Sequence, residues 1–228
     1  MHRRWLLSAV TWAGMLALAT AQDEKAKPAA PAEAGVPAGF RALVVVDDRY
    51  PPKAAPAGKK AERDPRDRTL KIHDLVTEQG LNPVVAVFSR TLPKADDAPV
   101  TKLIRQLDAV ALKHRGNNLA AFVGFLTLDK EFPQDERRTD KGEYLRDEQL
   151  KAVRDLGGQL KAPRVVLALA AGRSPTLDAW GVSPDDDVVV VLYHKMRVVQ
   201  RWAFKAGGPS DDEIKAIIDA ADKEGGRY

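Results

Sequence analysis

Cysteine is absent from all 228 residues, and this absence excludes more than any motif supplies. It leaves no disulfide, no thiol nucleophile and no thiolate ligand for a metal. It also excludes a lipoprotein anchor, which needs a cysteine at the cleavage point. Histidine is scarce, with only His2, His73, His114 and His194 present. No two of them stand at a metal-ligand spacing, so no metal site is expected. Neither a G-x-G-x-x-G pattern nor a P-loop surrounds Gly124, Gly157, Gly158, Gly207 or Gly208, so no nucleotide cofactor is expected. Ser174 and Ser183 lack the G-x-S-x-G setting of a hydrolase nucleophile. Charge of one sign is not in real excess: Lys and Arg number 36 against 32 Asp and Glu. Two of the basic residues, Arg3 and Arg4, belong to an N-terminal leader. So even a balance argues against nucleic acid or an acidic membrane as partner.

The leader has the form of a secretory signal. A basic start at residues 2–4 precedes an apolar stretch over 5–19, interrupted only by Ser8 and Thr11. Ala19, Thr20 and Ala21 form a small-residue cleavage site ahead of polar Gln22, Asp23 and Glu24. The apolar stretch is short for a membrane span. The sequence therefore predicts a signal peptide over 1–21, with the mature chain periplasmic or secreted and no integral span after cleavage; an uncleaved N-terminal anchor is the alternative. Residues 22–39, rich in Ala, Pro, Glu and Lys, read as an extended linker. A folded domain is expected over 40–228. Without disulfides its core must suffice, and about 190 residues can bury one.

Along that domain, residues 41–46 form a continuous apolar, β-branched run, the pattern of a strand covered on both faces. A long charged loop follows to residue 68, its mixed charges read as solvated. A helix is predicted over 69–79, with Ile72, Leu75 and Val76 on one face and Gly80 beyond its end. Residues 83–88 form a second strand. Asp97 and Pro99 open a helix with Leu103, Ile104, Leu107, Val110 and Ala111 as its core stripe. His114 stands at its end, and Gly116, Asn117 and Asn118 stop it. A third strand covers 119–128, a charged insertion 129–143, a helix 147–160 and a fourth strand 164–170. Strands at 188–193 and 197–204 form a hairpin around His194, Lys195 and Met196. Ser210 and Glu213 make a capping box for a last helix with Ile214, Ile217, Ile218 and Ala221 on its inner face. Alternating strands and helices imply a parallel sheet with helices on both faces and an antiparallel hairpin at one edge.

In this order, with Asp178, Trp180, Gly181 and Val182 forming an aromatic-Gly-Val turn before the terminal hairpin, the chain resembles the thioredoxin-like superfamily on its peroxiredoxin-like branch. The resemblance covers about residues 40–223 and implies an α/β fold with a central mixed sheet. It also implies a redox-active cysteine motif where a buried strand meets the next helix, because exposed N–H groups there favour a thiolate. The corresponding segment, read as 71–78, carries Asp74 and Thr77 at the spacing of a C-x-x-C motif. Thiol–disulfide and peroxidase chemistry therefore cannot be carried over. Pro184 is the nearest counterpart of the proline those proteins place before a late strand.

The remaining polar candidates are His73, Asp74 and Thr77. They read either as a ligand-binding cluster or general base with its orienter, or as a solvated helix start. Asp185, Asp186 and Asp187 lack the spacing of a calcium loop and read as a solvated turn. Trp180 and Trp202 read as packing aromatics. The expectation is an exported, redox-inactive domain that binds another envelope protein or a peptide. A non-thiol enzyme built on His73, Asp74 and Thr77 is the alternative, and a purely structural domain a third reading.

Overall fold

The computed structural model describes residues 35–36, 39–50, 66–94, 96–128, 140–205 and 207–227. The predicted signal peptide, nearly all of the linker, loop residues 51–65 and insertion residues 129–139 lie outside the described residues. The strands are β1 (Arg41–Val46), β2 (Ile72–Asp74), β3 (Val84–Ser89), β4 (Ala120–Leu128), β5 (Val165–Ala171), β6 (Val188–His194) and β7 (Arg197–Phe204). The helices are α1 (Pro99–Lys113), α2 (Asp140–Leu160), α3 (Pro175–Ala179) and α4 (Asp211–Gly225). One sheet holds all seven strands in the order β2-β1-β5-β4-β3-β6-β7.

The unbroken apolar runs become the middle of this sheet because both faces are covered. Every residue of β3, β5 and β6 is buried. β3, β4 and β5 run parallel, stepping in one direction across the sheet. Right-handed crossovers of that kind leave α1 and α2 on the same face, where α4 joins them. Leu103, Ile104 and Leu107 of α1 pack there with Val153 and Leu156 of α2 and Ile214 and Ile217 of α4. The opposite face is filled by Phe40, Phe88, Phe122, Trp180 and Tyr193, with α3 covering part of it. Phe40 stands edge-on to Phe88 at 5.0 Å and stacks on Phe122 at 5.9 Å, spacings at which aromatic pairs attract beyond their buried area.

Four expectations are corrected. Residues 69–79 are not a helix. Residues 72–74 form strand β2, antiparallel to β1 with Ala42 opposite His73, and only a 3-10 turn follows at Thr77–Gln79. The segment is too short to bury a helical stripe, whereas the free edge of β1 offers backbone partners at once. The sheet is also less parallel than predicted, because β1 runs antiparallel to β5. The hairpin turn comprises Lys195 and Met196 alone, both at positive φ. His194 is instead the last residue of β6, buried, with its Nδ1 2.6 Å from Glu224 Oε1. The three aspartates before β6 are not simply solvated, since Asp186 is buried and its carboxylate accepts the Ser183 N–H at 3.1 Å.

The α4 capping box is present as predicted, and Trp180 and Trp202 are core residues. His114 ends α1, with its Nε2 2.7 Å from Asp222 of α4. The end of the linker takes part in the fold: Gly35 bridges Arg197 and the Val36 N–H donates to the Met196 carbonyl at 2.8 Å.

Candidate functional site

Parallel strands end in exposed backbone groups, so side chains at either end of β3–β5 are the natural place to look for chemistry. At the carboxyl end, Arg90 directly follows β3. Its guanidinium donates to the Asp186, Gly172 and Ser183 carbonyls at 3.0, 2.7 and 3.0 Å. One planar fork thus ties three loops together. The connection it heads, residues 90–98, is also where a buried strand runs into the N-terminus of the next helix. That is the setting the redox motif needs, and it lies in a different part of the chain from residues 71–78. Pro184 lies in the turn that Arg90 clamps, and no peptide bond among the described residues is cis.

At the amino end lies an open cleft of about 580 Å³. It is bordered by the loop after β1 (Arg49, Tyr50), the segment leading to β2 (Arg66, Asp67, Arg68, Lys71), β2 itself (His73), the 3-10 turn (Glu78, Gln79) and the approaches to β4 and β5, including Arg115 and Arg164. Six of the lining side chains are Arg or Lys and two are carboxylates. A buried carboxylate organises one wall. Asp47, at 5% exposure, accepts Arg49 Nε at 2.7 Å, Arg49 NH2 at 2.9 Å and Arg68 Nε at 2.8 Å. Burial raises the Asp47 carboxyl above its ordinary range, and the Arg68 guanidinium pulls the other way. Arg68 also bonds Glu78, and Glu78 Oε1 lies 2.5 Å from His73 Nδ1. The His73 Nε2 is buried with no hydrogen-bond partner among the described residues. Arg66 lies over the Tyr50 ring at 4.4 Å, a cation–π stack that holds the guanidinium flat.

The three predicted residues therefore separate. His73 lines the cleft; its orienting carboxylate is Glu78, not Asp74. Asp74 turns to a local task, accepting the Phe40, Val76 and Thr77 N–H groups at 3.0, 3.2 and 3.1 Å and the Thr77 hydroxyl at 2.7 Å. Burial pushes its carboxyl up, but these four bonds outweigh that and hold it below the usual range. This closure demands Gly39, where any Cβ would collide with the Asp74 carboxylate. Thr77 serves as a partner of Asp74. The cleft cations were missed because they come from four separated stretches of chain. Their signal was visible only as Arg66 and Arg68 in a loop read as solvated, and Arg68 is mostly buried.

No family model matches the chain, and no curated protein matches it. Among solved structures it is similar to BsSco, a member of the Sco family of cytochrome c oxidase assembly proteins (11% identity, 89% of this chain and 99% of that one, TM-score 0.49). It is similar to a putative protein disulfide isomerase from Bacteroides thetaiotaomicron (9% identity, 86% and 91%, TM-score 0.48). It is also similar to the 2-Cys peroxiredoxin of Plasmodium vivax (18% identity, 83% and 96%, TM-score 0.46). Among the described residues the chain is a mixed α/β fold of one seven-stranded sheet and four helices, and its sequence carries no cysteine.

Proposed function

We propose that this chain is an exported, non-catalytic binding domain that takes a protein or peptide partner. The leader over residues 1–21 supports export. The observation that carries the binding role is the basic cleft, a concave surface two of whose cations, Arg49 and Arg68, are held in place by Asp47 and Glu78. Preorganised donors of this kind recognise a ligand without needing a nucleophile. Asp74, the strongest polar candidate for chemistry, is fully engaged by its own backbone. The test is tagged expression in the native envelope, with crosslinking and mass spectrometry. A saturable partner that untagged chain competes away is expected, with an intact mass beginning after Ala21. Failure to recover any competable partner would overturn the reading.

One observation favours the alternative of a non-thiol enzyme. Glu78 holds His73 Nδ1 and leaves its buried Nε2 without a partner among the described residues, and a general base there needs that nitrogen to open to the cleft. Turnover of a carboxylate or phosphate ester that is lost in His73→Gln would establish it; no turnover is expected.

A further inference from the structure

The cleft has a chemical preference that its charges determine. Arg49 and Arg68 are already neutralised in part by Asp47 and Glu78, and Lys71 donates to the Asp67 carbonyl. Arg115 and Arg164 differ. Neither side chain makes a hydrogen bond or ion pair among the described residues, although both line the same cavity. Asp108, the acid nearest in bonding, takes the backbone N–H of Arg164 at 2.6 Å and leaves the guanidinium alone. A guanidinium is a planar donor fork matched to carboxylates, so two unengaged ones in a wall of further cations form half of a recognition pair.

The size of the cleft bears on the kind of anion. It holds about 580 Å³ and draws its cations from four separated stretches of chain, more room and more widely spread charge than one small anion occupies, so a chain segment carrying several carboxylates suits it.

Resting on the binding reading above, we infer that the cleft docks an acidic peptide segment of a partner protein, with its carboxylates on Arg115 and Arg164. Charge complementarity steers the encounter.

The test uses the full chain and fluorescein-labelled peptides in fluorescence anisotropy. One short peptide alternates Glu with Ser and a second replaces each Glu by Gln; citrate and inorganic phosphate serve as competitors. The Glu–Ser peptide should bind at least about tenfold more tightly than the Gln control and lose about tenfold between roughly 0.05 and 0.5 M salt. The double variant Arg115→Glu/Arg164→Glu should lose at least about tenfold of that affinity at unchanged thermal stability, whereas Lys215→Glu on α4 should not. Equal binding of the Gln peptide, or displacement by citrate or phosphate at concentrations below those needed of free peptide, overturns the inference; the second result would make the cleft a small-anion site. If the peptide fails while crosslinking still captures a competable partner with both wild type and the double variant, the binding role stands and the cleft is not its site. If neither finds a partner, the binding role itself fails.

Discussion

Arginines stand at both ends of the parallel strands, and the two ends use them in opposite ways. At the carboxyl end, Arg90 gives its guanidinium to three carbonyls of the protein itself. At the amino end, Arg115 and Arg164 line a cavity and, among the described residues, their guanidinium groups bond to nothing. A side chain that satisfies fixed acceptors stabilises the fold, because removing it strands them. A cation set among other cations does the reverse, since mutual repulsion costs stability that only a ligand recovers. The contrast separates an end built for integrity from an end built for recognition.

The largest expected effect lies at the structural end. Arg90→Ala should destabilise the chain by about 3 kcal/mol, since three charge-assisted bonds disappear and their carbonyls lose their partners. Arg90→Lys should recover less than half, because an ammonium cannot span three acceptors as the planar fork does. Denaturant unfolding at neutral pH measures both. A loss below about 1 kcal/mol would mean that these loops find other donors or water, and the contrast between the ends would lose its first half.

Asp74 comes next. Asp74→Ala should cost about 2 kcal/mol by leaving the Phe40, Val76 and Thr77 donors unpaired, with Asp74→Asn costing less because one oxygen still accepts. The pH dependence has a definite sign. Since the folded carboxyl titrates below its ordinary value of 3.8, its contribution is complete above that value and fades as the pH falls through the lower folded one. The difference between wild type and Asp74→Ala should therefore be flat near neutral pH and shrink only in strong acid. A difference that widened on acidification would show that Asp74 is not held ionised by these bonds.

Asp74 also shows what was legible in the sequence. The buried strands, the α1 stripe and the α4 cap could be read because periodicity and capping are local and repeat over many residues. The stretch around Asp74 could not. Ile72, Leu75 and Val76 fit a helical face as well as a strand followed by a turn, and the choice was made by the unpaired edge of β1, some 30 residues earlier in the chain. That shift moved His73 and Asp74 from a supposed helix start to a sheet edge. It also gave His73 a partner, Glu78, that helical spacing did not suggest. The cleft was illegible for a related reason: its cations converge only after β1, β4 and β5 are laid side by side in an order the sequence does not state.

A smaller effect, opposite in sign, is expected between the two ends. Tyr193 in β6 is fully buried, yet its hydroxyl has no hydrogen-bond partner among the described residues. Burial, with the Asp74 carboxylate adding to it, pushes the phenol well above its ordinary range. The ring packs against Trp180 at 5.8 Å, and Phe would keep that contact while removing an unsatisfied polar group. Tyr193→Phe should stabilise by about 1 kcal/mol. A loss of similar size would reveal a bound water or ligand on the hydroxyl.

The smallest expected change decides the comparison. Arg115→Gln and Arg164→Gln, singly or together, should alter stability by no more than about 0.5 kcal/mol at moderate salt, as surface substitutions do when no partner is stranded. At low salt the double variant should be slightly the more stable, because two charges leave a wall that still holds Arg49, Arg66, Arg68 and Lys71. Raising the salt should erase that gain, since the screening length falls to about 8 Å near physiological ionic strength and to about 3 Å at 1 M. The sign matters more than the size. If either substitution cost as much as Arg90→Ala, these guanidinium groups would be holding the fold by bonds of their own, and the amino end would be a second structural clamp. A null or slightly favourable effect on stability, together with lost affinity for an acidic peptide, is the combination that only unengaged charge can produce.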